Sequence, residues 1–280
     1  MEALTANLLC IENRLAILAQ PTHVHSYDFH FELYFECRHP LYLESQWPCV
    51  LRTGAIADYP ATYADSLAQQ LRLINTPQEH LHASELPHWY PIITDLTPQS
   101  IWADEFPDVA EIEQRFGWPV FIKGARQTSK HSQALSVARN AQDYERIRQQ
   151  YRLDPILHWQ QIIIREYVAL QTLPATLPGK VPASVEFRTF WWFNQCVGWG
   201  PYWYQLPAYQ ADDIAQGLQL AQTVASRLNV PFLVVDIAKT ADGRWIVIEC
   251  NDAQESGYTG IQPQLLWRRI LEHGIPVLQD

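Results

Sequence analysis

The stretch PFLVVDIAKTADGRWIVIECND, residues 231–252, decides the fold. Two runs of alternating apolar residues flank Asp242-Gly243, and Asp-Gly between such runs is a strong signal for a two-residue hairpin turn. With Asp242 and Gly243 as the loop, Ala241 pairs with Arg244 and each further pair steps outward by one residue. Asp236 then lies directly opposite Glu249. Asn251, opposite Val234, shares that face because side chains alternate with period two. Two carboxylates facing each other across a strand pair repel, so the pattern predicts a positive charge between them. Mg²⁺ suits the position, being a hard ion that takes carboxylate oxygens together with phosphate oxygens. A three-residue loop is the alternative: it moves Glu249 to the other face and leaves two unrelated surface acids.

Upstream, Lys123 ends the apolar strand PVFIK (119–123) and enters the polar loop GARQTSKHS, which carries Arg126, Lys130 and His131. This is a local concentration of donors suited to phosphate oxygens. It is not a P-loop, since GxxxxGK[ST] is absent. The plainer reading has Lys123 snorkelling from a strand end above a solvated loop, and Glu166 in IIIREYV (162–168) as an ordinary strand-end charge. Glu186 and Arg188 in SVEFRTFWWF (184–193) sit two apart on one face of an aromatic-rich strand. Either they serve a site, or they form a weak pair on an exposed face.

Around these segments the pattern reads as an α/β (α+β) chain. Phe29 to Cys37 alternates apolar and polar residues, which predicts a half-buried strand. Cys49 to Leu51 is a second short strand, and residues 61–74 have helical spacing, stopped at Asn75-Thr76-Pro77. Residues 77–104, rich in Pro and Trp, read as an irregular connection. Then come a helix at 108–116, the strand ending at Lys123, a further strand, a helix at 141–151 and a strand from Gln160 to Val168. After the proline-rich LPATLPGKVPAS (173–184), a hairpin turns at Asn194-Gln195, a long helix covers 211–228, and a last helix covers 262–272. The division predicted is 1–104, 105–168 and 169–280.

The chain has 280 residues, 48% of them apolar and 18% charged, and a net charge of −10. A chain of this size folds without disulfides or a structural metal. Its acidic balance disfavours polybasic binding to nucleic acid or a membrane surface as the general mode. Cys10, Cys37, Cys49, Cys196 and Cys250 are scattered without CxxC pairs and read as reduced thiols. No apolar run reaches the length of a membrane span, and the opening residues lack a secretory leader, so a cytoplasmic protein is expected. His23, His25 and His30 offer no fourth ligand for zinc. GxSxG and a local cysteine-nucleophile signature are both absent. The tryptophans are expected to be mostly core, with some available for stacking on a substrate ring.

Taken in order, FGWPVFIKGARQTSKHS (116–132), IIIREYV (162–168), VEFRTFWWF (185–193) and DIAKTADGRWIVIECNDAQESGYTG (236–260) resemble the ATP-grasp superfamily. The likeness is closest to a bacterial and phage branch that ends in an acid, x, Asn or Gly, Asp, x, Gln, x, Ser, Gly run, here ECNDAQESG at 249–257. That branch also carries a YW pair after the Arg-bearing strand, here Tyr202-Trp203. The resemblance implies an ATP-grasp fold, two lobes clamping ATP, with an N-terminal α/β unit. It further implies that Lys123 and Lys130 contact phosphates, that Glu166, Tyr167 and Val168 form the adenine hinge, and that Glu186 holds the ribose. Arg188 would face the reacting group, while Asp236, Glu249 and Asn251 would hold Mg²⁺. The activity implied is ligation of a carboxylate to an amine or other nucleophile through an acyl phosphate, with release of ADP and phosphate. A nucleotide-binding sensor or partner module without turnover, and a kinase-like use of the fold, are the alternatives. Two departures stand out: the loop after Lys123 holds only Gly124, and HLHASELPHWYP (80–91) shows no clear counterpart of the family's first upstream cationic phosphate ligand.

Overall fold

A computed structural model describes residues 8–12, 29–37, 46–129, 131–175 and 177–276. Three sheets organise them. The N-terminal sheet is parallel, with strands β1 (Leu9–Glu12), β2 (Trp47–Arg52) and β3 (Leu71–Leu73) in that order, and helix α1 (Tyr59–Ala68) between β2 and β3. The helical spacing read over 61–74 therefore runs too far. Helix α1 ends at Ala68, Gln70 takes a positive φ of 63°, and Leu71 to Leu73 continue the sheet, because Trp47 and Cys49 supply a parallel ladder that overrides local propensity.

Residues 29–37 also depart from the alternation that predicts a strand. They contain a 3-10 turn at Phe31–Leu33, and Phe31 packs on Phe35 and on Trp267. A spacing of four residues suits a turn as well as the period of two suits a strand, and the aromatic contacts decide between them. The connection at 77–104 is not irregular either. It holds α2 (Pro77–Ser84), α3 (Leu86–Trp89) and strand β4 (Ser100–Ala103). Helix α2 starts with a capping box, in which the Thr76 hydroxyl accepts from the Glu79 amide and the Glu79 carboxylate accepts from the Thr76 amide.

The middle sheet has the order β4, β7 (Ile162–Glu166), β5 (Val120–Gly124), β6 (Val137–Ala138). Since β4 pairs with β7 along its whole length, it belongs to this sheet, on the far side of a division drawn at 104. Helices α4 (Val109–Arg115) and α6 (Ala141–Tyr151) bury Val120, Ile122, Ile162 and Ile164 on one face. The short α5 (Gln133–Ser136) follows the loop after β5. Because strand side chains alternate, Phe121, Lys123, Ile163 and Arg165 project from the other face.

The C-terminal sheet runs β11 (Trp245–Asp252), β10 (Phe232–Lys239), β8 (Glu186–Trp192), β9 (Gln195–Pro201), all antiparallel. Strands β8 and β9 turn at Phe193-Asn194, one residue earlier than expected. Trp192 pairs with Gln195, and both turn residues take positive φ, 43° and 65°, the twist that a two-residue hairpin demands. One face, carrying Phe187, Trp191, Leu233, Val235 and Ile237, packs on α7 (Ile214–Leu228). The other is divided. Phe190, Trp192, Phe232 and Val234 lie under α8 (Pro263–His273), while Arg188, Asp236 and Glu249 continue the same face beyond the helix. Among the described residues no helix is long and apolar enough to cross a membrane.

Candidate functional site

The uncovered part of that face looks across a cleft of about 260 Å³ at the free face of the middle sheet. What puts Glu249 there is a bulge. The Asp242-Gly243 turn is not the two-residue loop that the dipeptide suggests: Thr240 and Arg244 close it, with the Gly243 amide on the Thr240 carbonyl at 3.0 Å and the Thr240 amide on the Arg244 carbonyl at 2.8 Å. Gly243 supplies the positive φ of 88° that a three-residue loop needs. This loop shifts the pairing by one, so that Lys239 meets Trp245 and Ile237 meets Val247. An irregularity between Asp236 and Ile237 then absorbs Ile248 as an extra residue, and Asp236 lies opposite Glu249 with Asn251 opposite Val234. The longer loop and the bulge cancel.

Two ion pairs occupy the site. Arg188, on β8 opposite Asp236, grips it with Nε on Oδ1 at 2.8 Å and Nη2 on Oδ2 at 2.7 Å, and Nη1 donates to the Gly257 carbonyl at 3.1 Å. Lys123 reaches from the middle sheet to Glu249. The positive charge that the facing carboxylates require is thus supplied by side chains. Burial opposes the Arg188 charge, but Asp236 outweighs it and holds the guanidinium well above its ordinary pKa. Burial works against Glu249 ionising too, yet Lys123 and a hydrogen bond from Asn251 keep its carboxyl below the usual range.

Around these pairs the cleft wall is polar and largely neutral. Glu186 accepts from the Ser184 hydroxyl at 3.2 Å and from Trp203 Nε1 at 3.1 Å, both on Oε2. Burial, with Asp236 nearby, raises its pKa to about 8. His131 Nε2 meets the Tyr202 hydroxyl at 3.0 Å, and burial lowers its pKa to about 4. The Tyr202 ring lies 5.1 Å from the Arg188 guanidinium, a stacking contact that keeps the cation oriented.

Of the residues singled out from sequence, Lys123, Glu166, Tyr167, Val168, Glu186, Asp236 and Glu249 all line this cleft. Arg188 and Asn251 adjoin it through Asp236 and Glu249. Lys130 lies outside the described residues, as do His23 and His25. Arg126 is withdrawn from any phosphate role. Its Nη2 pairs with Glu255 Oε2 at 2.8 Å and meets His80 Nε2 at 3.0 Å, on the far side of β11.

Sequence reasoning missed Arg165, whose cleft position follows from alternation with Ile162 and Ile164. It donates to the Ile248 carbonyl at 2.7 Å, to Ser100 Oγ at 3.0 Å and to Thr97 Oγ1 at 2.6 Å, so a middle-sheet cation holds the bulged residue in place. Gly124, the loop's one glycine, is needed because Gln160 lies against its bare Cα; from there the Gln160 carbonyl accepts from the amides of Arg126 and Gln127 at 2.9 and 3.1 Å.

Among the described residues no group of three or more His, Cys, Asp and Glu could hold a metal alone. The oxygen-only set of Asp236, Glu249 and Asn251, with no thiolate or imidazole, suits a hard divalent ion whose remaining ligands come from phosphate.

Two antiparallel sheets facing each other across a cleft lined by a strand-end lysine and paired acids define an ATP-grasp architecture. Known structures of that class align with it. A RimK domain ATP-grasp protein from Sphaerobacter thermophilus DSM 20745 matches with TM-score 0.53 at 14% identity, over 75% of this chain and 73% of that one. D-alanine–D-alanine ligase from Bacillus anthracis, complexed with ATP, matches with TM-score 0.57 at 11% identity, over 80% and 77%. At such identities the likeness concerns the fold. Residues 115–270 match the family model of an ATP-grasp domain, the third family of its clade, and the chain belongs to that ATP-grasp family. No curated protein matches its sequence.

Proposed function

We propose that this protein is an ATP-dependent ligase that activates a carboxylate as an acyl phosphate and passes it to an amine or other nucleophile, releasing ADP and phosphate. The observation that carries the reading is the makeup of the cleft: Lys123, Arg165 and Arg188 gathered with Asp236, Glu249 and Asn251, and no thiol in the described lining. Phosphoryl transfer needs alignment and neutralisation of charge more than a protein nucleophile. In this reading the middle and C-terminal sheets are the two lobes. Lys123 binds phosphate, Glu166 to Val168 receive the adenine, and Glu186 with Ser184 meets the ribose. Lys130 belongs to the same loop as Lys123 and serves as an auxiliary phosphate ligand.

Three cations against two carboxylates leave a single net positive charge in the cleft, too little for a triphosphate. That shortfall supports Mg²⁺, with Glu249 and Asn251 as its first protein ligands and Asp236 behind them. The ion supplies charge neutralisation and orients the phosphates. One observation favours the alternative of a binding module without turnover: Arg188 already spends Nε, Nη1 and Nη2 on Asp236 and Gly257.

The test is product analysis. Incubation with Mg-ATP, a panel of carboxylic acids and hydroxylamine should trap a hydroxamate and yield ADP. Release of AMP and pyrophosphate replaces acyl phosphate with adenylation. Tight ATP binding without turnover selects the binding module, and phosphorylation of a hydroxyl selects a kinase.

A further inference from the structure

The ion pair that spans the cleft bears on which form of the nucleotide it admits. Lys123 stands on β5 and Glu249 on β11, with side chains 4% and 18% exposed, and each is the other's counter-charge. Lys123 cannot take a phosphate oxygen without leaving Glu249. No other described cation at the cleft is free to replace it, since Arg188 is spent on Asp236 and Gly257 and Arg165 on Ile248, Ser100 and Thr97. A bare polyphosphate that drew Lys123 away would leave the Glu249 carboxylate unpaired, facing the phosphates and close to Asp236. Leaving one member of a buried pair alone is strongly unfavourable, and like charges at such distances repel strongly where water is scarce.

We propose that Glu249 makes nucleotide binding conditional on the divalent cation, by exchange of partners: the phosphate takes Lys123 while the metal takes Glu249. The metal–nucleotide complex satisfies both halves of the opened pair. The free nucleotide satisfies one and strands the other. Glu249 thus acts as a repulsive element against metal-free nucleotide, and discrimination often rests on such an element as much as on added attraction. Asn251, which hydrogen-bonds Glu249, is the neutral partner that stays with it through the exchange. The inference rests on the ATP-dependent reading above.

Calorimetry separates the two. The parent protein should bind ATP with Mg²⁺ and bind ATP in excess EDTA much more weakly. Glu249→Gln, which removes the charge and keeps a hydrogen-bonding group, should bind metal-free ATP about tenfold or more tightly than the parent does, the size expected for one nearby charge. If the parent binds Mg-ATP and Glu249→Gln binds metal-free ATP no better than the parent, the exchange is wrong and the ATP reading stands. A parent that binds ATP neither with nor without Mg²⁺ overturns both. The other half is read without nucleotide. Lys123→Met, with Mn²⁺ alone as the probe and electron paramagnetic resonance as the readout, should bind the ion more tightly than the parent, because Glu249 is released. Equal or weaker Mn²⁺ binding overturns the proposal, and this measurement decides it should Glu249→Gln not fold.

Discussion

Glu186 is held with a proton that a solvent-exposed glutamate would have lost. Its pKa rises from 4.5 to about 8 because burial disfavours the charged form and Asp236 adds repulsion. Between those values the folded chain keeps a proton that the unfolded chain releases, so stability falls as pH rises through that window. Glu186→Gln should remove that fall, matching the parent near pH 4 and exceeding it by roughly 2–4 kcal/mol above pH 8. Thermal denaturation against pH checks this, and parallel curves for the two proteins would reject it. Arg188 and Asp236 behave as a unit. Arg188→Ala leaves a carboxylate that is 1% exposed without its partner, a loss of about 3–5 kcal/mol by urea unfolding. Arg188→Met combined with Asp236→Leu should recover most of it, since replacing a buried pair by apolar groups is often neutral. A loss of activity in Arg188→Ala therefore mixes chemistry with folding, and Arg188→Lys, which keeps the charge but not the two-pronged grip, is the better kinetic probe.

At the scale of elements, β11 carries the site only because its bulge returns Glu249 to the cleft face. The Ile248 carbonyl is anchored on Arg165, which burial otherwise pushes toward losing its charge, with a pKa lowered to about 10. Arg165→Met leaves three oxygens without their donor and should cost about 2–4 kcal/mol, with Arg165→Lys recovering part, as judged by denaturant midpoint. An Arg165→Met protein as stable as the parent would show that the anchor is dispensable. Elements with one strong periodicity were legible: β5, α4, α6, β7, α7 and α8 all appear within a few residues of where hydrophobic spacing puts them. Those that were not legible had two compatible readings. Phe31 and Phe35 satisfy a turn and a strand alike, and Leu71 to Leu73 extend a helical pattern until a neighbouring strand offers a ladder. The capping box at Thr76 and Glu79 was readable in the letters, and it marks a helix within a segment whose prolines suggest none.

Across the whole molecule, a second buried network fastens the turn after Asn251 to the rest of the chain. His80 Nδ1 meets Asp252 Oδ2 at 3.0 Å and its ring stacks on Tyr59 at 3.9 Å. Arg52 donates to the Ser256 carbonyl at 2.7 Å, and Arg126 bonds both Glu255 and the Ile56 carbonyl. The N-terminal sheet, α2, the loop after β5 and the end of β11 thus meet in one place. Burial already raises the Glu255 pKa against the pull of Arg126, and Arg126→Met should raise it further. Its deficit against the parent is therefore absent below the unfolded pKa near 4.5 and grows as pH rises, reaching about 2–4 kcal/mol at pH 7. Chemical denaturation at pH 4 and pH 7 checks this, and a deficit equal at both would assign the loss to packing instead. The sequence by itself determined the kinds of element, the hairpin at Asp242-Gly243 and the sharing of one face by Asp236, Glu249 and Asn251, because strand and helix periods are local properties of the chain. Only the tertiary structure decided that Lys123 meets Glu249, that Arg126 meets Glu255 and not phosphate, and that Ile248 bulges onto Arg165. The reason is physical: a charge is neutralised by whatever lies a few ångströms away in space, and for Lys123 that partner stands 126 residues along the chain.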